Sequence, residues 1–148
     1  MTHRLDYVEE ARELGRDVWV YGAATEVQIA NLEEALGYSL PESYRQFLAS
    51  AGALSIGDVS VSGIIDGDPL SLDGGSAFGE THRARRDQGI PTSFLVIQPD
   101  ADAPHCLDLS FSSDAEQPVV CFQACTRSAK RIAPSFEQWY FTFILGRV

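Results

Sequence analysis

The chain has 148 residues, 45% of them hydrophobic and 22% charged, and its 21 acidic against 11 basic residues leave a net charge of −10. A chain of this length buries roughly two-thirds of its unfolded surface, so residues 1–148 read as one domain that folds without a metal or disulfide staple. A field of this sign repels phosphates and anionic lipid, which argues against nucleic-acid and membrane partners and in favour of a basic protein; solubility alone is the plainer account of the same charge.

The opening stretch, MTHRLDYVEEARELG, alternates charge around no apolar centre, unlike a secretory signal. No apolar run approaches the ~20 residues of a membrane helix, so a cytoplasmic protein is expected. Cys106, Cys121 and Cys125 are an odd number, and the CxxxC spacing of the last two is neither a zinc nor a redox motif. Three reduced thiols buried as small apolar side chains are expected.

Leu5, Val8, Ala11 and Leu14 recur at helical spacing before Gly15, which predicts a short amphipathic helix over 5–15. Val18 to Tyr21 is a turn or a strand. Thr25 with Gln28 three residues on has the form of a capping box. The helix it opens buries Ile29, Leu32 and Leu36, turns Glu26, Glu33 and Glu34 to water, and ends at Gly37. Pro41 fits the first position of a second helix, whose stripe of Tyr44, Phe47, Leu48 and Ala51 faces a core.

From Asp58 the period changes to two. Val59, Val61, Ile64 and Ile65 suggest a first strand, SFLVIQ at 93–98 a buried one, and CLDLSFS at 106–112 one with Leu107, Leu109 and Phe111 on a single face. PVVCFQAC at 118–125 is a further buried strand, after a turn holding Asp114 and Glu116. A polar, Gly-rich insert occupies 66–76, and a short helix follows around 80–88. Short strands with short connections indicate an antiparallel meander. The chain closes on PSFEQWYFTFIL, where Ser135 and Gln138 repeat the capping-box spacing and Phe136, Trp139, Tyr140 and Phe143 form an aromatic stripe expected to cover the sheet.

No chemical motif stands out. His3, His82 and His105 are isolated, and neighbours on a strand point to opposite faces, so His105 cannot activate Cys106. DGDP at 66–69 and DAD at 100–102 could chelate a hard cation but match no calcium loop and are ordinary turn formers. DGGSAFG at 73–79 lacks the Lys-Ser/Thr of a phosphate loop. Arg83, Arg86 and Asp87 in HRARRD are expected to pair with neighbouring charges. The helix pair is a poor nucleic-acid reader, since its second helix offers Glu42, Ser43 and Gln46 beside a single Arg45. No cofactor and no metal are expected.

Ile29, Leu32, Glu33, Leu36, Gly37, Leu40, Pro41, Tyr44, Phe47 and Leu48 form an I-x-x-L-E-x-x-L-G-x-x-L-P-x-x-Y-x-x-F-L run. This run resembles the N-terminal signature of the SUKH superfamily, which includes fungal cell-wall-synthesis regulators and many bacterial immunity proteins. CLDLS at 106–110, PVVCF at 118–122 and SFEQW at 135–139 resemble the family's central strands and closing helix, so the likeness spans about residues 25–145. AGALSIG at 51–57 departs from the family's Asn-Gly-Gly-like turn, and the insert between Asp66 and Glu80 has no counterpart. The resemblance implies an α+β fold: an antiparallel sheet of about four to six strands flanked by N-terminal helices and a C-terminal aromatic helix, with no active site.

It also implies a cytoplasmic antidote that binds and neutralises a cognate toxin, such as a cationic nuclease, which an acidic inhibitor approaches quickly. Asp66, Asp68, Asp73, Asp100 and Asp102 are the expected partner-binding residues, from their loop context and charge. A regulatory scaffold in cell-wall or envelope biology is the alternative. An unrecognised small enzyme, using Asp108 or His105, is the third reading.

Overall fold

The computed structural model describes residues 6–15, 17–111 and 116–146. Leu5, His3, Ser112 and Asp114, named above, lie outside them. In chain order the elements are α1 (Tyr7–Arg12), β1 (Val18–Val20), α2 (Glu26–Leu36), α3 (Glu42–Ala51), β2 (Leu54–Ile56), β3 (Val59–Val61), α4 (Ala77–Asp87), β4 (Phe94–Gln98), β5 (His105–Asp108), β6 (Val119–Gln123), β7 (Ser128–Ala133) and α5 (Phe136–Trp139), which widens into a π-helical turn over Tyr140–Ile144. The fold is α+β. Its strands form two antiparallel sheets, β1-β2-β3 and β4-β5-β6-β7, rather than one. The sheets meet where Ser62 N–H donates to the Ile97 carbonyl at 2.7 Å.

The α2 cap is complete: Thr25 Oγ1 accepts from Gln28 N–H, and Gln28 Oε1 accepts from Thr25 N–H. Gly37 closes the helix at φ 78°. Pro41, expected inside α3, is instead its N-cap, with extended backbone and no side-chain oxygen to offer. A distant carboxylate takes over that task. Glu116 accepts from both the Ser43 N–H and hydroxyl, while Glu33 accepts from Leu40 N–H at 2.7 Å and pairs with Arg45 at 2.8 Å. Glu33 is therefore a half-buried anchor and not the solvated residue expected, because the Leu40 amide just before the cap and the Arg45 guanidinium both hold its carboxylate.

The main core lies between α1, α3, α5 and one face of the four-stranded sheet. Tyr7, Tyr44, Phe47, Phe136, Trp139 and Tyr140 are fully buried there. Their rings pack edge-on or tilted, as Tyr7 does on Phe47 at 5.6 Å and on Tyr140 at 4.9 Å. Each tyrosine hydroxyl finds a backbone acceptor: Tyr7 on Ser43, Tyr44 on Ser62, Tyr140 on Tyr7. Burial raises the pKa of all three. A second, smaller core fills the other face, where Ala84 and Ile90 meet Phe94, Val96, Cys106, Val120 and Phe122. Both faces of β4 are thus covered, which is why 93–98 reads as one apolar run.

Several expectations are corrected. Phe143 is exposed, because the π turn bonds Leu145 N–H to Tyr140 C=O and brings Ile144 inward in its place. Strand β5 stops at Asp108, whose Oδ1 accepts from Ser110 N–H and turns the chain, so Phe111 leaves the sheet face and is exposed. Ile64 and Ile65 are buried but lie beyond β3, with Ile65 in an isolated bridge to Asp68. The three cysteines are free, but only Cys106 is buried; Cys121 is half-buried and Cys125 exposed in the turn after β6.

The departing stretch 51–57 supplies strand β2 and a close backbone crossing. A Cβ added to Gly63 would lie 1.7 Å from the Gly52 carbonyl oxygen, and one added to Gly52 would lie 2.1 Å from that of Gly22. Ile64 N–H donates to Gly52, and Gly22 N–H donates to Ala51. Gly63→Ala is expected to destabilise the protein by about 3 kcal/mol or more, since backbone must move to admit the methyl group. Gly57→Ala, at φ 59° with open space around it, should cost only about 1–2 kcal/mol. Denaturant midpoints of the two variants decide; equal losses would mean that crowding at residue 63 is unimportant.

Candidate functional site

All five aspartates expected to bind a partner are exposed, but they form two groups. Asp66, Asp68 and Asp73 sit on the 66–76 loop, which is closed at its base by Gly63 N–H to Gly75 C=O at 3.0 Å and Ala77 N–H to Gly63 C=O at 2.8 Å. Asp66 holds a left-handed φ of 54°, Asp68 accepts from Leu70 N–H, and Asp73 C=O accepts from Ser76 N–H. Ser76 then caps α4 through Gly79 N–H. Its own side chain occupies that helix N-terminus, so DGGSAFG is a loop-to-helix junction.

Asp100 and Asp102 lie in the β4–β5 loop at the other end of α4. Gln88, which follows α4, donates to the Asp100 and Ala101 carbonyls. The 11-residue helix places the two groups about 16 Å apart along its axis. Asp100 Oδ1 accepts from Asp102 and Ala103 N–H, and these bonds hold its carboxyl below the usual range. It shapes its own loop.

The 66–76 loop does not stand alone. Gln28 donates to the Gly67 carbonyl at 3.0 Å, tying it to α2. Gly75 lies under the Tyr21 hydroxyl, and the 71–72 backbone packs on Gly79 so closely that a Cβ there would be 2.8 Å from Leu72 Cα. Beside the loop stand Trp19 and Tyr21, both exposed. Sequence reasoning missed these two as surface residues. The signal is the alternation VWVY, in which Val18 and Val20 turn to the core and the aromatics turn out.

Two open grooves flank this architecture. One, of about 470 Å³, runs between α2 and α3 past Glu26, Glu33, Glu42 and Arg45. The other, of about 500 Å³, lies between α4 and the 99–104 loop and includes Glu80, Arg83, Asp87 and Asp100. Arg83 pairs with Glu80, and Arg86 with Asp87 at 2.9 Å, as the sequence suggested. Among the described residues no three His, Cys, Asp or Glu side chains converge as metal ligands. Cys106 is packed in the smaller core, and burial pushes its thiol well above the usual range, so it stays protonated.

A family model described as SMI1-KNR4 cell-wall, SUKH_5, matches residues 5–144. The chain belongs to this SUKH family. The match reaches beyond the motifs at 25–145 to include α1 and β1. A solved structure described as a protein from Pseudomonas syringae pv. tomato is similar in fold, with a TM-score of 0.67 and 20% identity over 95% of this chain and 97% of that one. No helix among the described residues of this SUKH protein is long and apolar enough to cross a membrane.

His105 faces away from Cys106, toward the C-terminal helix. Its Nδ1 accepts from Trp139 Nε1–H at 2.9 Å, and the Phe143 ring lies edge-on at 5.2 Å. Burial lowers its pKa from 6.5, with the Asp100 charge opposing. The folded protein therefore favours the neutral ring, while the unfolded chain takes up a proton first as pH falls. The stability this group contributes is complete above pH 6.5 and is lost as pH drops toward and through the lower folded value. His105→Gln is expected to flatten that part of the curve of denaturation midpoint against pH; an identical slope would show that another group titrates.

Proposed function

We propose that this chain is a non-catalytic, cytoplasmic protein-binding module that neutralises a cognate cationic toxin, such as a nuclease, by covering part of its surface. The observation that carries the reading is the 66–76 loop: three exposed aspartates held on a braced loop beside two exposed aromatic rings. Membership of the SUKH family supports a binding role. The net charge of −10 supports a basic partner, because opposite potentials speed encounter and align the two surfaces before contact. Nuclease toxins carry positive charge where they hold nucleic acid, so an acidic inhibitor competes for that same surface.

A second reading, a regulatory scaffold in cell-wall biology, draws on the family's cell-wall description. The two differ in stoichiometry and strength: one tight toxin against several weak partners.

The test is co-expression with the product of the neighbouring gene, with calorimetry to read stoichiometry and stopped-flow mixing to read the rates. Neutralisation predicts restored growth and a 1:1 complex whose association rate falls steeply as salt is raised, while dissociation changes little. A complex indifferent to salt, or no complex at all, would count against the acidic antidote.

A further inference from the structure

Five large apolar side chains, Trp19, Tyr21, Val27, Leu70 and Leu72, remain in water on elements that the loop contacts tie to one another. Trp19 is 63% and Leu72 60% exposed. The Trp19 and Tyr21 rings stand perpendicular with centroids 6.3 Å apart, and Tyr21 reaches the loop at Gly75. Val27 precedes the glutamine that ties α2 to Gly67. Scattered single apolar residues are normal on a protein surface, but a touching pair of exposed aromatic rings beside a loop that exposes two leucines has the character of an interaction site. β1 is also the terminal strand of its sheet, so its pairing with β2 leaves the outer edge free of any other strand among the described residues.

Charge identifies what covers this face. From residue 17 to residue 82 the chain holds ten carboxylates and one basic residue, Arg45, which is bound to Glu33. β1, α2 and the 66–76 loop contain no lysine or arginine. A second copy of this chain would bring the same negative field and be repelled. A guanidinium group suits the face better than any other side chain: it stacks on an aromatic ring and offers a planar fork to a carboxylate.

We propose that β1, the first turn of α2 and the 66–76 loop form the docking surface for an arginine-rich protein segment, which stacks on Trp19 and Tyr21 and pairs with Asp66, Asp68 and Asp73. This rests on the protein-binding reading above and narrows it. Asp100 and Asp102, at the far end of α4, lie outside the surface.

The full chain and each variant are titrated with an arginine nonapeptide by calorimetry, and tryptophan fluorescence is followed in every protein that keeps Trp19. Trp19 is the exposed reporter, and Trp139, fully buried, reports only on folding. Trp19→Ala and the combined D66N/D68N/D73N variant are each expected to weaken binding about tenfold or more, with Asp102→Asn changing it less than about twofold. A lysine nonapeptide binds more weakly, because ammonium groups lack the stacking face. On the unmodified protein, amide exchange slows at 17–23 and 66–76 when the peptide is added, which keeps the result independent of variant folding. The proposal is overturned by equal losses from D102N and the triple variant, by binding that ignores Trp19, by equal affinity for the two peptides, or by a dimer in light scattering that Trp19→Ala dissociates. Peptide results as expected with a toxin that does not bind leave the surface standing and sink the antidote; a toxin held equally by wild type and Trp19→Ala does the reverse.

Discussion

The contact between Gly52 and Gly63 fixes the arrangement on which the proposed docking face depends. Three backbones meet there: the end of α3, the base of the 66–76 loop, and the chain at Gly22 just after β1. Neither Gly52 nor Gly63 leaves room for a Cβ, so the approach is available only to glycine. The crossing sets where the loop leaves the core and where β1 ends, and hence the spacing between the aspartates and the aromatic rings. A polar loop with few apolar anchors would otherwise sample many positions. Here its ends are bonded to each other, and its middle is tied to α2.

The interior and the exterior of this protein obey different rules. Inside, six aromatic side chains interlock, and the tyrosine hydroxyls spend their hydrogen bonds on carbonyls of other elements. That arrangement satisfies the polar groups a buried tyrosine brings with it and cross-links α1, α3 and the C-terminal helix. Outside, Trp19, Tyr21, Leu70 and Leu72 stand on segments that carry aspartates and no lysine or arginine. Packing accounts fully for the first set and for none of the second. Trp139 and Trp19 show the contrast: one is enclosed and bonded to His105, the other stands in solvent with the Tyr21 ring edge-on to it.

Much of this was legible in the residues, for reasons that are local. Thr25 with Gln28, and the Tyr44, Phe47, Leu48 stripe, encode their helices through contacts three and four residues apart, and both helices form as read. The SUKH signature is carried by the same positions, most of them core. Two strands were not legible. β2 is three residues long and sits in a stretch that departs from the family pattern, and β7 reads SAKRIA with its first four side chains exposed, so neither period nor hydropathy marks it. Phe143 was misplaced because a stripe drawn at 3.6 residues per turn cannot anticipate a π turn. Of the candidate site, the charge was visible but its grouping was not. Which aspartates share a face depends on α4 separating the two loops, and the VWVY alternation that turns Trp19 outward does not tell that the 66–76 loop reaches Tyr21 beside it.

The cap of α3 bears on how the chain folds as it is made. A helix that began with serine or aspartate would carry its own acceptor; this one begins with Pro41 and borrows Glu116, 73 residues downstream. During synthesis α3 emerges from the ribosome with its first amides open, and it keeps them open until the polypeptide between β5 and β6 has been delivered. The last turn of the protein then returns to α1, where Tyr140 bonds Tyr7 across 133 residues. Early segments are thus held provisionally and locked late, so a nascent chain truncated before residue 116 lacks the group that finishes the N-terminal helix burying the most side chains.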